Sequence, residues 1–227
     1  NEYGAYAENK EYVSNVRDIV RENFRDVTLF QCDWSSNFTK NGLDDLLWTM
    51  NFGTGANIDQ QFALLKELRP ESPLMCSEFW SGWFDKWGAN HETRPADLMV
   101  SGIDEMLSKG ISFSLYMTHG GTNWGHWAGA NSPGYAPDVT SYDYDGVLTE
   151  SGDSTEKYRR YQEVIRKYAP IPEVTYSTKI EKKAYGTLQY DARVGLFESL
   201  DDLSAPVKCK FPTSMERLGQ NYGYILY

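Results

Sequence analysis

The stretch Pro73-Leu74-Met75-Cys76-Ser77-Glu78-Phe79-Trp80 decides how the rest of the chain is read. A short apolar run that begins at a proline and ends in an aromatic loop, here running on to His91, has the length and composition of a buried strand. One residue breaks the pattern. Glu78 lies inside the run, where burying a carboxylate costs free energy unless the group is paired or used. A carboxylate placed where an apolar strand ends is therefore a candidate for chemistry.

Reading outward from that strand, the same unit recurs. On its N-terminal side Ile58–Leu68 has helical periodicity, with Asn57 as N-cap and Pro70 just past the end. Before it lie two strands, Leu47–Phe52 and Val27–Cys32, joined through the polar, turn-rich stretch Asp33–Gly42, which reads as a loop. Ala7–Phe24 is expected to be helical, because Tyr12, Val13, Val16, Ile19 and Val20 share one face. On the C-terminal side Arg94–Lys109 reads as a helix with Pro95 in its first turn and Gly110 at its end. Ile111–Met117 follows as a strand, then a long glycine-rich loop, then a helix over Ser154–Tyr168. Strands alternating with helices define an α/β protein with a parallel sheet. Long loops after the strands favour a (β/α)8 TIM barrel over a doubly wound sheet.

Counting strands backwards places the candidate residues. With Ile111–Met117 as the eighth strand, Leu74–Glu78 is the seventh, Leu47–Phe52 the sixth, Phe30 lies on the fifth, and Glu2 falls at the end of the fourth. Glu2 and Glu78 then share the C-terminal mouth of the barrel, where such folds keep their active sites. The count leaves the first strands unaccounted for, and the chain opens on Asn1 without an initiator Met, so a fragment is expected. Pro170-Ile171-Pro172 reads as a linker: residues 1–172 are assigned to the C-terminal part of the barrel, and 173–227 to a linker and the first strands of a β-rich domain.

Composition narrows the partners. A net charge of −10 argues against a nucleic-acid backbone as partner, because that binding needs clustered Lys and Arg, and it favours a neutral ligand. Aromatics at 15% supply either a large core or an aromatic-lined groove. The three cysteines, Cys32, Cys76 and Cys209, have no metal-ligand or disulfide spacing. No apolar stretch reaches the roughly 18 residues of a membrane span. His91, His119 and His126 read as loop or structural histidines, Trp48, Trp80, Trp87 and Trp127 as core or loop packing, and the Asp44-Asp45 and Asp201-Asp202 pairs as solvated turns. Asp143 and Asp145, flanking Tyr144, either orient it or cap their loop. Gly120-Gly121 lacks the GK[ST] of a phosphate cradle. Asn37-Phe38-Thr39 is a glycosylation sequon.

Four motifs occur together in order: Asn1-Glu2-Tyr3-Gly4, Ser77-Glu78-Phe79-Trp80-Ser81-Gly82-Trp83, Gly120-Gly121-Thr122-Asn123-Trp124-Gly125, and Thr140-Ser141-Tyr142-Asp143-Tyr144-Asp145. This set closely resembles glycoside hydrolase family 35, the β-galactosidases, and the closing Leu218–Tyr224 resembles the stretch where that family enters its β-sandwich domains. The resemblance implies a retaining hydrolase of terminal β-D-galactosides without cofactor or metal. Glu2 would be the acid/base and Glu78 the nucleophile, with carboxyl groups about 5–5.5 Å apart. Asn1 would bond the sugar 2-hydroxyl, and Trp83, Tyr116, Tyr142 and Tyr144 would line the galactose pocket. It further implies an extracytoplasmic, secreted or lysosome-like location and leaves room for a homo-oligomer. Hydrolysis of another β-sugar such as glucosamine, or galactose binding by an inactive relative, are the alternatives.

Overall fold

In a computed structural model, residues 2–131, 134–173, 180–219, 223, 225 and 226 are described. Four strands form one parallel sheet in chain order, β1 (Phe30–Asp33), β2 (Leu47–Gly53), β3 (Met75–Trp80) and β4 (Ser112–Tyr116). Among the described residues the strand order never reverses, so these four strands have no switch point of the doubly wound kind. The helices are α1 (Lys10–Asn23), α2 (Ser35–Asn41), α3 (Ile58–Leu68), α4 (Ala96–Ser108) and α5 (Glu156–Ile165).

Local chemistry sets several boundaries where the sequence puts them. The α3 helix begins where the Asn57 side chain accepts from the Gln60 N–H, and α5 where Thr155 accepts from Tyr158. The four strands of this sheet are those expected, with ends moved by no more than three residues, and within the stretch expected to be a loop Ala130–Asn131 and Ala136–Pro137 form a short antiparallel pair. Asp33–Gly42 is the correction, because seven of these residues form α2. Ser, Asn and Thr are weak helix formers, and their run concealed it. Tertiary packing overrides propensity here: Phe38 is buried and stacks on Trp48 with ring centroids 4.8 Å apart.

One apolar core lies between the sheet and its helices. Met50, Phe52, Cys76 and Phe79 of β2 and β3 meet Ile58, Phe62 and Leu65 of α3 and Met99, Ile103 and Met106 of α4. The α4 helix comes so close to β3 that a Cβ on Gly102 would lie 2.7 Å from the Phe79 ring. The opposite face of the same strands is polar at the C-terminal end, with Thr49, Asn51 and Ser77 all buried.

The β3 strand carries a bulge. Its Cys76 and Glu78 face Met50 and Asn51 of β2, so two steps on β3 match one on β2. Against β4, Cys76 and Phe79 face Phe113 and Leu115, again one residue more on β3. The extra residue turns Ser77 and Glu78 to the polar side together while Cys76 and Phe79 both stay in the core.

Beyond residue 172, the described elements are 3-10 turns at Phe197–Ser199 and Glu216–Leu218 and the one-turn helix α6 (Leu200–Leu203). The strand-like segments expected there form no strand among the described residues. A strand needs a neighbour to satisfy its backbone.

Candidate active site

The strands deliver their polar side chains to one end. Glu78 ends the bulge of β3, and its Oε2 accepts from the Trp80 indole N–H at 3.1 Å. Trp80, read from sequence as packing, therefore touches the candidate nucleophile. Glu2 stands beside β1: its backbone N–H bonds the Cys32 carbonyl at 2.8 Å, where an adjacent strand would lie. Its φ is 48°, a left-handed value that a non-glycine residue adopts only when its surroundings impose it.

Those surroundings are side chains. Asp33, almost fully buried at the end of β1, accepts from the Gly4 N–H at 2.8 Å with one oxygen. Its other oxygen accepts from the Trp34 N–H at 2.9 Å and from the Asn37 amide at 2.6 Å. Asn37 in turn fills the space where a Cβ on Gly4 would stand, 2.4 Å away. The sequon asparagine is thus committed to holding the Glu2 turn. Asn51 on β2 donates from Nδ2 to Glu2 Oε1 at 2.9 Å, and its backbone is paired with Glu78. One residue therefore addresses both glutamates.

Aromatic side chains wall the same end. The Tyr116 and Tyr142 hydroxyls are 2.5 Å apart. Tyr142 and Tyr144 stack at 5.6 Å, and Trp83 lies 6.3 Å from Tyr144 and 5.7 Å from Trp80. An open recess beside them is lined by Gly53, Thr54, Ala56, Trp80, Trp83 and Arg94. Burial pushes the Tyr144 hydroxyl well above the usual tyrosine range, and the nearby charges of Glu78 and Glu2 add to that rise. Burial and the bond to Tyr116 do the same for Tyr142. Both phenols stay neutral hydrogen-bonding groups. Asn1, the remaining expected site residue, lies outside the described residues.

The loop bearing Tyr142 and Tyr144 is fixed by contacts the sequence did not announce. Tyr144 and Asp145 have φ of 60° and 49°. Buried Lys157 of α5 donates to the Asp145 carbonyl at 2.7 Å, to the Asp145 carboxylate, and to the Ser81 carbonyl at 3.0 Å. The Asp145 carboxylate also accepts from the Arg94 N–H at 2.6 Å. Asp145, left between two readings by sequence, is the anchor of this loop; Asp143 accepts from the Glu150 N–H. Gly82 and Gly120 allow the loop to lie flat, since Cβ atoms there would stand 1.6 and 1.7 Å from the Tyr144 and Tyr142 carbonyl oxygens. His91 meets Asp85 at 2.7 Å, and His119 lies 3.1 Å from the Glu150 carbonyl. Sequence reasoning missed Asn51, although it lies inside an apolar strand as Glu78 does, and the cost of burying it was the available signal.

Two carboxylates at the C-terminal ends of a parallel sheet, beside an aromatic wall, are the equipment of a glycoside hydrolase. Residues 1–168 match glycosyl hydrolases family 35, and the chain belongs to that family. Human beta-galactosidase is 40% identical over 233 residues, covering 100% of this chain and 34% of that protein. A mouse beta-galactosidase is 39% identical, and a mouse beta-galactosidase-1-like protein 36% identical, each match covering 100% of this chain and 36% of the relative. The chain spans about a third of the length of these relatives.

Proposed function

We propose that this chain is the C-terminal half of a TIM-barrel catalytic domain in a retaining β-galactosidase, with residues 173–227 leading into a β-sandwich. Glu78 attacks the anomeric carbon of a terminal, non-reducing β-D-galactosyl residue as Glu2 protonates the departing oxygen. Water, deprotonated by Glu2, then hydrolyses the galactosyl ester and regenerates both groups. The observation carrying this reading is Asn51, whose amide holds Glu2 while its backbone faces Glu78. Trp83 and Tyr144 offer aromatic surface to the apolar face of the sugar, and the neutral Tyr116–Tyr142 pair orients hydroxyls and carboxylate. Asn1, next to Glu2 in sequence, is assigned to the 2-hydroxyl.

Catalysis is proposed to need no cofactor or metal. An extracytoplasmic location belongs to the same proposal. No described helix is long and apolar enough to cross a membrane.

The test uses the full-length protein and a 2-deoxy-2-fluoro-β-galactosyl inactivator, followed by digestion and peptide mapping. A label on Glu78 is expected, and a label elsewhere would overturn the site. Absence of label with slow turnover of glucosaminides would assign another β-sugar. Galactose binding without label or turnover would assign an inactive relative.

A further inference from the structure

Behind Glu2 runs a chain of buried polar side chains that the two-carboxylate mechanism does not require. Asn51 donates to Glu2 Oε1 at 2.9 Å. The Asn51 Oδ1 accepts from the Ser77 hydroxyl at 2.7 Å, and the Ser77 and Thr49 hydroxyl oxygens are 2.7 Å apart. Asn51, Thr49 and Ser77 are 1%, 0% and 9% exposed, so water does not substitute for any of these partners.

The hydrogen-bonding capacities fix the direction of the chain. An amide oxygen only accepts, so the single Ser77 proton goes to Asn51. Ser77 then has only lone pairs left for Thr49, which must donate to it. The competing acceptors are weaker, because the Met50 carbonyl stands 3.5 Å from Ser77 and the Gln31 carbonyl 3.4 Å from Thr49. The hydroxyl protons of Thr49 and Ser77 and one amide proton of Asn51 therefore run in one direction, towards Glu2, and dipoles aligned in this way reinforce one another in a low-dielectric interior. The bulge makes the arrangement possible. In a regular strand Ser77 and Glu78 would face opposite sides, and one of them would enter the apolar core.

We infer that Asn51 is a positioning residue for the acid/base carboxyl, and that it confines the transferable proton of Glu2 to Oε2. The inference rests on Glu2 being the acid/base. With Oε1 occupied by the Asn51 N–H, only Oε2 carries the proton towards the glycosidic oxygen. In the first step the Oε2–H bond breaks and the proton joins the departing oxygen as its bond to the anomeric carbon breaks and Glu78 forms the new one. In the second step Oε2 takes a proton from the attacking water. Ser77 and Thr49 hold the Asn51 amide in the orientation this requires.

Leaving groups separate positioning of an acid from simple loss of structure. Dinitrophenolate departs from a 2,4-dinitrophenyl galactoside without proton donation, whereas the methoxy group of a methyl galactoside needs it to leave as methanol, and kcat/KM reports the first step for both. In the full-length protein, Asn51→Ser is expected to lower kcat/KM on the methyl galactoside by about 10²-fold more than on the dinitrophenyl galactoside. Ser77→Ala, which removes one oxygen and preserves packing, is expected to shift the same ratio in the same direction by about 5-fold. Parallel losses on both substrates in both variants would overturn the inference and make Asn51 structural. Glu2→Ala measured alongside is expected to show the largest ratio, about 10²–10⁴-fold. If Glu2→Ala is selective and the Asn51 and Ser77 variants are not, the positioning role alone fails. If Glu2→Ala itself shows no selectivity, the acid/base assignment falls and the inference falls with it.

Discussion

The two glutamates are mounted by different means. Glu78 belongs to a strand paired on both sides, and its place follows from backbone bonds to β2 and β4. Glu2 bonds the Cys32 carbonyl of β1 through its N–H but lies on a turn with left-handed backbone, held by the Asp33 carboxylate, the Asn37 amide and the Asn51 amide. A sheet ladder tolerates changes in the side chains around it, because its bonds are backbone bonds. A turn held by side chains does not. The aromatic wall follows the second plan, since Tyr144 is fixed through Asp145 and Lys157.

The contrast is open to direct attack. Removing the proposed nucleophile has the largest expected effect: Glu78→Gln is expected to lower kcat by on the order of 10⁵–10⁶-fold with melting temperature near that of the parent, read by aryl galactoside turnover. Next comes the wall. Lys157→Met leaves the Asp145 carboxylate without its buried cation, and the expected loss is about 3–5 kcal/mol of stability in a denaturant titration. A third variant isolates the turn. Asp33→Ala frees Gly4 and Asn37 and is expected to cost about 10²-fold in kcat, while the fluorinated inactivator still labels Glu78. Equal damage to labelling and turnover would mean the two mounts are not independent.

The smallest expected effect is a pH slope. Tyr144 has its hydroxyl raised above the ordinary value of 10.0, chiefly by burial. The unfolded chain releases that proton first, so the stability it contributes is complete below about pH 10 and is lost as pH rises beyond it. Melting temperatures followed upward from about pH 9 should fall less steeply in Tyr144→Phe than in the parent.

Sequence alone went furthest where one residue carries its own signal. Asn57 and Pro70 bracket a helix whose span, Ile58–Leu68, is as expected. Glu78 announced itself by the cost of a carboxylate in an apolar strand. Glu2 had no such signal and entered only through the strand count and the motif resemblance. The α2 helix stayed hidden because the Phe38–Trp48 stack stabilises it rather than the propensity of its own residues. The Lys157–Asp145 pair and the one-way chain through Asn51 join residues 12 and 49 positions from their partners. No periodicity connects such positions, and only the folded chain brings them together.

The bulge has one further consequence, which concerns parity. A pleated strand assigns its residues alternately to two sides, and Ser77 is the one residue that breaks the alternation between Cys76 and Phe79. With Ser77 deleted, Cys76, Glu78 and Phe79 would fall on core, mouth and core with no irregularity left. A chain one residue shorter would keep Glu78 in place and give up the Ser77 bonds to Asn51 and Thr49. The extra residue therefore behaves as a graft on an otherwise regular strand, added for what it bonds and not for what it packs.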